Sequence, residues 1–214
     1  MPKKNKKLTI MISSTVYGIE ELLDRIYTLL TAFGYEVWMS HKGTMPVFSN
    51  QSAFENCIRS VERCDLFLCL ITPYYGSGID GDELSITHQE LNKAIELKKP
   101  RWLLAHDYVV FSRKLLIDLD FKGPKGRAKL NLKRKAASLS DLRLIDMYED
   151  AILSQHPLRD RQGNWVQKFQ TNEDAFLFAT AQFSRYQEVE AFIEENLSNP
   201  SAINNLIDHK GEQP

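Results

Sequence analysis

The segment Leu66-Phe67-Leu68-Cys69-Leu70-Ile71 is apolar at every position, and the earlier run from Leu8 to Ile12 is interrupted only by Thr9. A strand is apolar on both faces when helices cover both, as happens to the inner strands of a parallel α/β sheet. The residues around these runs agree. Ile19, Leu22, Leu23, Ile26, Leu29, Leu30 and Phe33 recur at spacings of three and four, the pattern of an amphipathic helix. Gly34 follows where a left-handed cap ends such a helix. Residues 35–39 read as a second strand and 40–50 as a polar loop. Phe54, Cys57, Ile58 and Val61 mark the next helix. A third strand at 65–71, a helix at 87–98 and a fourth strand at 101–105 complete the alternation.

Strands and helices that alternate with short links predict a parallel sheet with crossover helices. The turn after the first strand is Ser13-Ser14-Thr15-Val16-Tyr17-Gly18, without the GxGxxG of a dinucleotide-binding Rossmann fold. The expected fold is therefore flavodoxin-like: a three-layer α/β sandwich on a five-stranded parallel sheet of order 2-1-3-4-5. That order puts the topological switch between the first and third strands, where ligands bind beyond the carboxyl ends. The turn 13–15 and the loop 72–78 then face one another across one crevice.

The second half is less regular. Residues 108–119 and 142–153 have helical character. Between them the stretch 122–135 carries seven basic residues and no acidic one. Its glycines and proline, and its lack of interleaved aromatics, read as a solvated insertion rather than a nucleic-acid surface. Residues 165–169 form the expected fifth strand, and Thr171-Asn172-Glu173-Asp174 is a helix start leading into 175–197. The reading is one domain over 1–198, with a helical, basic insertion at about 107–160, and a flexible tail at 199–214.

Composition removes several classes of function. In a chain of 214 residues with a net charge of −1, bulk electrostatics argue neither for nor against a nucleic-acid partner. The apolar run behind the basic amino terminus is too short for a signal peptide or a membrane span, so a cytoplasmic protein without membrane attachment is expected. Cys57, Cys64 and Cys69 are odd in number and lack CxxC spacing, as buried thiols in a reducing compartment do. The scattered histidines suggest no metal site.

Residues with chemical potential cluster near the crevice. Thr87-His88-Gln89-Glu90 fits a capping box, with Glu90 in the first helical turn where the helix dipole keeps a carboxylate ionised. Such a carboxylate also suits stabilisation of a cationic transition state. Ser13, Ser14 and Thr15 offer hydroxyls and amides to phosphate oxygens, or simply cap the first helix. Tyr74, Tyr75 and Ser77 lie in a glycine-flanked loop that reads as an aromatic lid or a surface turn. Trp38 can stack on a ligand ring or pack at the rim. His88 reads as an acid–base group or a partly exposed residue at the helix start.

Ile12-Ser13-Ser14-Thr15, the early Glu20-Glu21, and Ser85-Ile86-Thr87-His88-Gln89-Glu90 with Ala94 and Lys99-Pro100 resemble a domain-of-unknown-function group of TIR-like proteins. Members open with an "ISST" strand-turn and carry a "SIT-x-x-E" helix start. The resemblance covers the first half well and the fifth strand and last helix loosely. It implies the five-stranded flavodoxin-like topology. Enzymatic TIR domains cleave NAD at the nicotinamide–ribose bond, and the catalytic position maps to Glu90, with Ser85 as the preceding serine. The loop 40–50 matches the TIR loop that gates the site. The Trp-Cys pair that often precedes the TIR glutamate is absent; Ile86, Thr87 and His88 stand there.

The resemblance thus implies an NAD-cleaving or NAD-cyclising enzyme of prokaryotic defence or signalling, with NAD as substrate and no cofactor. Ser13, Ser14, Thr15, Trp38, Tyr74, Tyr75, Ser77, Ser85 and His88 would surround the nucleotide. It also implies a sensor or effector protein encoded nearby, and a possible homo-oligomer. Two alternatives stay open: a TIR-like interaction module without chemistry, and a nucleoside or nucleotide N-glycosidase or deoxyribosyltransferase.

Overall fold

The two apolar runs take the inner positions of the sheet. The computed structural model describes residues 7–78, 84–133, 136, 138–161 and 163–186. In it β1 (Thr9–Ser14) and β3 (Leu66–Ile71) pair in parallel, with Ser13 opposite Cys69. β2 (Glu36–Trp38) flanks β1, while β4 (Arg101–His106) and β5 (Asn164–Phe169) continue beyond β3. The order β2-β1-β3-β4-β5, with every pair parallel, is the expected flavodoxin-like topology.

Alternation along the strands divides the core in two. Met11, Phe67, Cys69, Ile71, Leu103 and Ala105 point to one face. There they meet α2 (Ala53–Arg63), α3 (Ile86–Glu96) and α6 (Arg143–Ala151). Ile10, Ile12, Leu66, Leu68, Leu70 and Leu104 point to the other, where α1 (Glu20–Ala32) and α7 (Asn172–Phe183) cover them. All six residues of β3 are buried, as its composition requires. Gly34 leaves α1 at φ 93°, in the left-handed region that favours glycine. Thr171 and Asp174 form a capping box at the start of α7.

Between β4 and β5 lie α4 (Asp107–Asp118), the short α5 (Gly123–Arg127) and α6. The basic stretch is not wholly solvated. Arg127 is buried, and its guanidinium bonds Asp146 and Glu149 of α6, while Arg113 of α4 holds Glu149 from the other side at 3.0 Å. An arginine in a run of lysines looks like part of a solvated face; its acidic partners lie about one helix later in the chain, invisible to local pattern. Among the described residues no helix is long and apolar enough to cross a membrane. The part of the expected helical stretch 175–197 beyond residue 186, the tail 199–214, and residues 134 and 135 of the basic run lie outside the described residues.

Candidate functional site

Ser13 is the last buried residue of β1 and shares the face of Met11, so its side chain points toward α2 and α3. Its hydroxyl donates to Glu90 Oε2 at 2.5 Å. The thiol of Cys57, on α2, also hydrogen-bonds the Glu90 carboxyl, and Cys69, opposite Ser13 in the sheet, lies close enough to feel its charge. A serine, a glutamate and two cysteines thus converge at the carboxyl end of β1 and β3. Neither cysteine was assigned to the site from sequence. The signal for Cys69 was available: adjacent parallel strands put residues in register on one face, and Ser13 and Cys69 are in register.

The capping-box expectation for Glu90 is not met. The N-cap of α3 is Ser85, whose Oγ accepts the His88 amide at 3.3 Å. Thr87 is already inside the helix, and Glu90 belongs to its second turn, beyond the reach of the amino-terminal amides. Glu90 is 5% exposed. Burial raises its pKa from 4.5 to about 7, against the lowering pull of the Ser13 and Cys57 hydrogen bonds. The carboxyl is therefore poised between its acid and ionised forms near neutrality, where the sequence suggested a fully ionised group.

Ser14 and Thr15 are not turned toward Glu90. Ser14 Oγ donates to the carbonyls of Leu70 and Thr15, tying β1 to β3. Thr15 meets the opposing loop: a Cβ added to Gly76 would lie 2.9 Å from Thr15 Oγ1, and Gly76 has φ +80°, so only glycine fits there. The turn after β1 and the loop after β3 do face each other, but at contact distance. Tyr74 is exposed and packs edge-on against Tyr17 at 5.0 Å. Ser77 is exposed, and its carbonyl accepts the Ile86 amide.

Tyr75 is no lid. It is buried, its amide donates to Ser140 Oγ, and Arg143 stacks over its ring at 4.6 Å. Its hydroxyl lies 2.9 Å from His88 Nδ1, and His88 Nε2 lies 2.8 Å from Asp150 Oδ2. His88 is accordingly buried, contrary to the partly exposed position expected at a helix start. Two positions apart on a helix is roughly 200° around the axis, so His88 faces α6 while Glu90 faces β1 and α2. Trp38 is also buried; its Nε1 donates to Glu36 at 2.9 Å, and Met45 of the loop after β2 packs against the same core cluster. Ser85 is buried and acts as the cap. The structure thus joins Ser13 to Glu90, and gathers Tyr75, His88 and Ser140 into a separate network with Arg143 and Asp150 of α6.

Among the described residues no group of three or more His, Cys, Asp or Glu side chains is placed to hold a metal ion. A comparison with curated proteins gives no match. Among solved structures, the TIR domains of the activated Roq1 resistosome, which directly recognises the pathogen effector XopQ, align over 82% of this chain and 99% of that chain. The identity is 13% and the TM-score 0.48, too distant a likeness to carry residue roles across. A family model described as Domain of unknown function (DUF4062) matches residues 9–198, nearly the whole chain, and the chain belongs to that family.

Proposed function

We propose that this chain cleaves an N-glycosidic bond, with the Glu90 carboxylate as its charge-stabilising group and NAD as the substrate that the sequence resemblance implies. The observation that carries the reading is the buried Ser13–Glu90 pair at the carboxyl end of β1, next to the switch between β1 and β3. A carboxyl group taken out of water and not used as a helix cap needs another reason to be there. Perturbed carboxyls beside a switch point are candidates for chemistry.

The reaction asks little of a protein. The bond between ribose C1′ and the cationic nicotinamide nitrogen breaks, and its electron pair leaves with the ring as neutral nicotinamide, so no general acid is needed. The positive charge left on the ribose is stabilised by ionised Glu90 in a site of low dielectric. Water then adds at C1′ and loses a proton, giving ADP-ribose; a ring nitrogen of the same nucleotide in place of water gives a cyclic product. With the carboxyl 5% exposed, the ribose reaches it only after the residues packed around it move. A resting enzyme that opens on assembly with a sensor or effector protein fits this closed form.

A second reading, an interaction module without chemistry, draws on the same closure: Ser13 and Cys57 already satisfy the carboxyl internally. Nicotinamide release by the assembled protein separates the two. Turnover that depends on Glu90 supports the enzyme. Its absence with NAD and with nucleosides supports the module.

A further inference from the structure

We propose that the cavity between α5 and the start of α6 binds a small organic phosphate, with Arg127 as its central donor. The cavity has a volume of about 370 Å³, within the usual range for small-molecule sites. Arg127 stands in its wall and is 2% exposed. Nε and Nη2 of this guanidinium are committed to Asp146 and Glu149, whereas the buried Nη1 has no acceptor. Folded proteins seldom leave a buried charged donor unpaired. A ligand oxygen in the cavity completes the set.

Charge selects the class of ligand. Around the cavity Arg113, Arg127 and Arg143 are offset by Asp141, Asp146 and Glu149. Those ion pairs cancel. Lys125, Lys129 and Lys133 of the same segment are exposed, and no ion pair among the described residues offsets them. A local excess of three positive charges suits a phosphate dianion better than a single carboxylate. Leu130, Leu132 and Leu142 add apolar lining, so the ligand carries an organic body as well as its phosphate.

The cavity shares a wall with the loop after β3. Ser140 lines it, donates its amide to the Pro73 carbonyl and accepts the Tyr75 amide. Arg143, also in the lining, stacks over the Tyr75 ring. Binding should therefore be felt at Tyr75. None of these contacts involves the Ser13–Glu90 pair, so the proposal is tested without any turnover.

An NMR titration of the full chain with phenyl phosphate and glucose 6-phosphate, against benzoate and glucose as counterparts without the phosphate, provides the test. Both phosphates should bind at about 1 mM or tighter, shifting the amide signals of Arg127, Ser140 and Tyr75. Benzoate should bind at least roughly tenfold more weakly, and glucose should leave those signals in place. Ala128→Trp, at an exposed position of the lining, should fill the cavity and weaken phosphate binding by about tenfold or more while the fold is kept. Arg127→Lys keeps the charge but removes Nη1, and should weaken binding to a similar degree. Should that variant fail to fold, Ala128→Trp alone decides. Failure of both phosphates to bind, equal binding of benzoate, or phosphate binding untouched by Ala128→Trp would overturn the proposal.

Discussion

Ser13 Oγ lies 2.5 Å from Glu90 Oε2, joining the end of β1 to the second turn of α3 across 77 positions of sequence. The bond fixes what Glu90 is. A carboxylate at a helix start is stabilised by free amides; this one is beyond them, buried, and held by one hydroxyl and one thiol. Its raised pKa follows from burial that these two donors only partly offset.

Burial at this position should be visible as a dependence of stability on pH. The Glu90 pKa is about 7 in the fold against 4.5 ordinarily, so between those values the folded chain keeps a proton that the unfolded chain releases. The contribution of this group is most favourable below about pH 4.5 and is lost as pH rises through about 7. Glu90→Gln carries no such loss. Its stability relative to wild type should rise over that interval by on the order of 3 kcal/mol. Urea unfolding of both proteins at several pH values measures this, and parallel curves would show that Glu90 does not titrate with a raised pKa.

Ser13→Ala removes the nearer donor and leaves the ionised carboxylate less well satisfied. The Glu90 midpoint should move further above about 7, and the fold should lose roughly 1–3 kcal/mol at alkaline pH, where the carboxylate is charged. Carboxyl ¹³C chemical shifts of labelled glutamate, followed against pH, report the midpoint directly. An unchanged midpoint would mean that Ser13 does not hold the ionised form.

The strands and their order were legible because they depend on composition and period: β3 has no polar residue, α1 repeats at three and four, and the missing GxGxxG removed the main rival topology. The start of α3 misled because two overlapping patterns competed. Thr87 and Glu90 match a capping box in spacing, whereas Ser85, the residue that caps, has His88 at the reciprocal position. What decided between them was tertiary: a helix starting at Ser85 turns Glu90 toward Ser13 and buries it. The fates of His88 and Tyr75 depend on Asp150 and Ser140, more than 60 residues away. No local pattern encodes those partners.

Arg127 shows a similar long reach, and its removal should be severe. Arg127→Ala leaves Asp146 without its guanidinium partner and Glu149 held by Arg113 alone, and should destabilise the fold by about 3–5 kcal/mol, the usual effect of breaking a buried pair. Lys125→Ala and Lys129→Ala, on the exposed side of the same stretch, should change stability by less than about 0.5 kcal/mol. Guanidinium unfolding compares them. Equal small effects at all three positions would show that the buried ion pairs do not anchor the insertion.

The three cysteines should be inert in the folded chain. Burial pushes the Cys64 thiol up to about 11, burial and then the Glu90 charge push Cys57 up to about 12, and Cys69 is raised further for the same reasons. A thiol-specific disulfide reagent at neutral pH should label native protein far more slowly than protein unfolded in guanidinium. Rapid labelling of Cys57 in the native state would show that the Glu90 site is open to solvent.

Glu90→Gln bears most directly on the proposed chemistry. The amide keeps the shape of the side chain and can still accept from Ser13, but it cannot carry the negative charge that the ribose cation requires. Nicotinamide released from NAD should be measured with wild type and Glu90→Gln under conditions that promote self-association. Wild type should turn over, with a rate that climbs as pH rises through about 7. Glu90→Gln should fold normally and release nicotinamide on the order of 100- to 1,000-fold more slowly. Equal release by the two proteins, or none by assembled wild type, would contradict the assignment of Glu90 as the catalytic carboxylate.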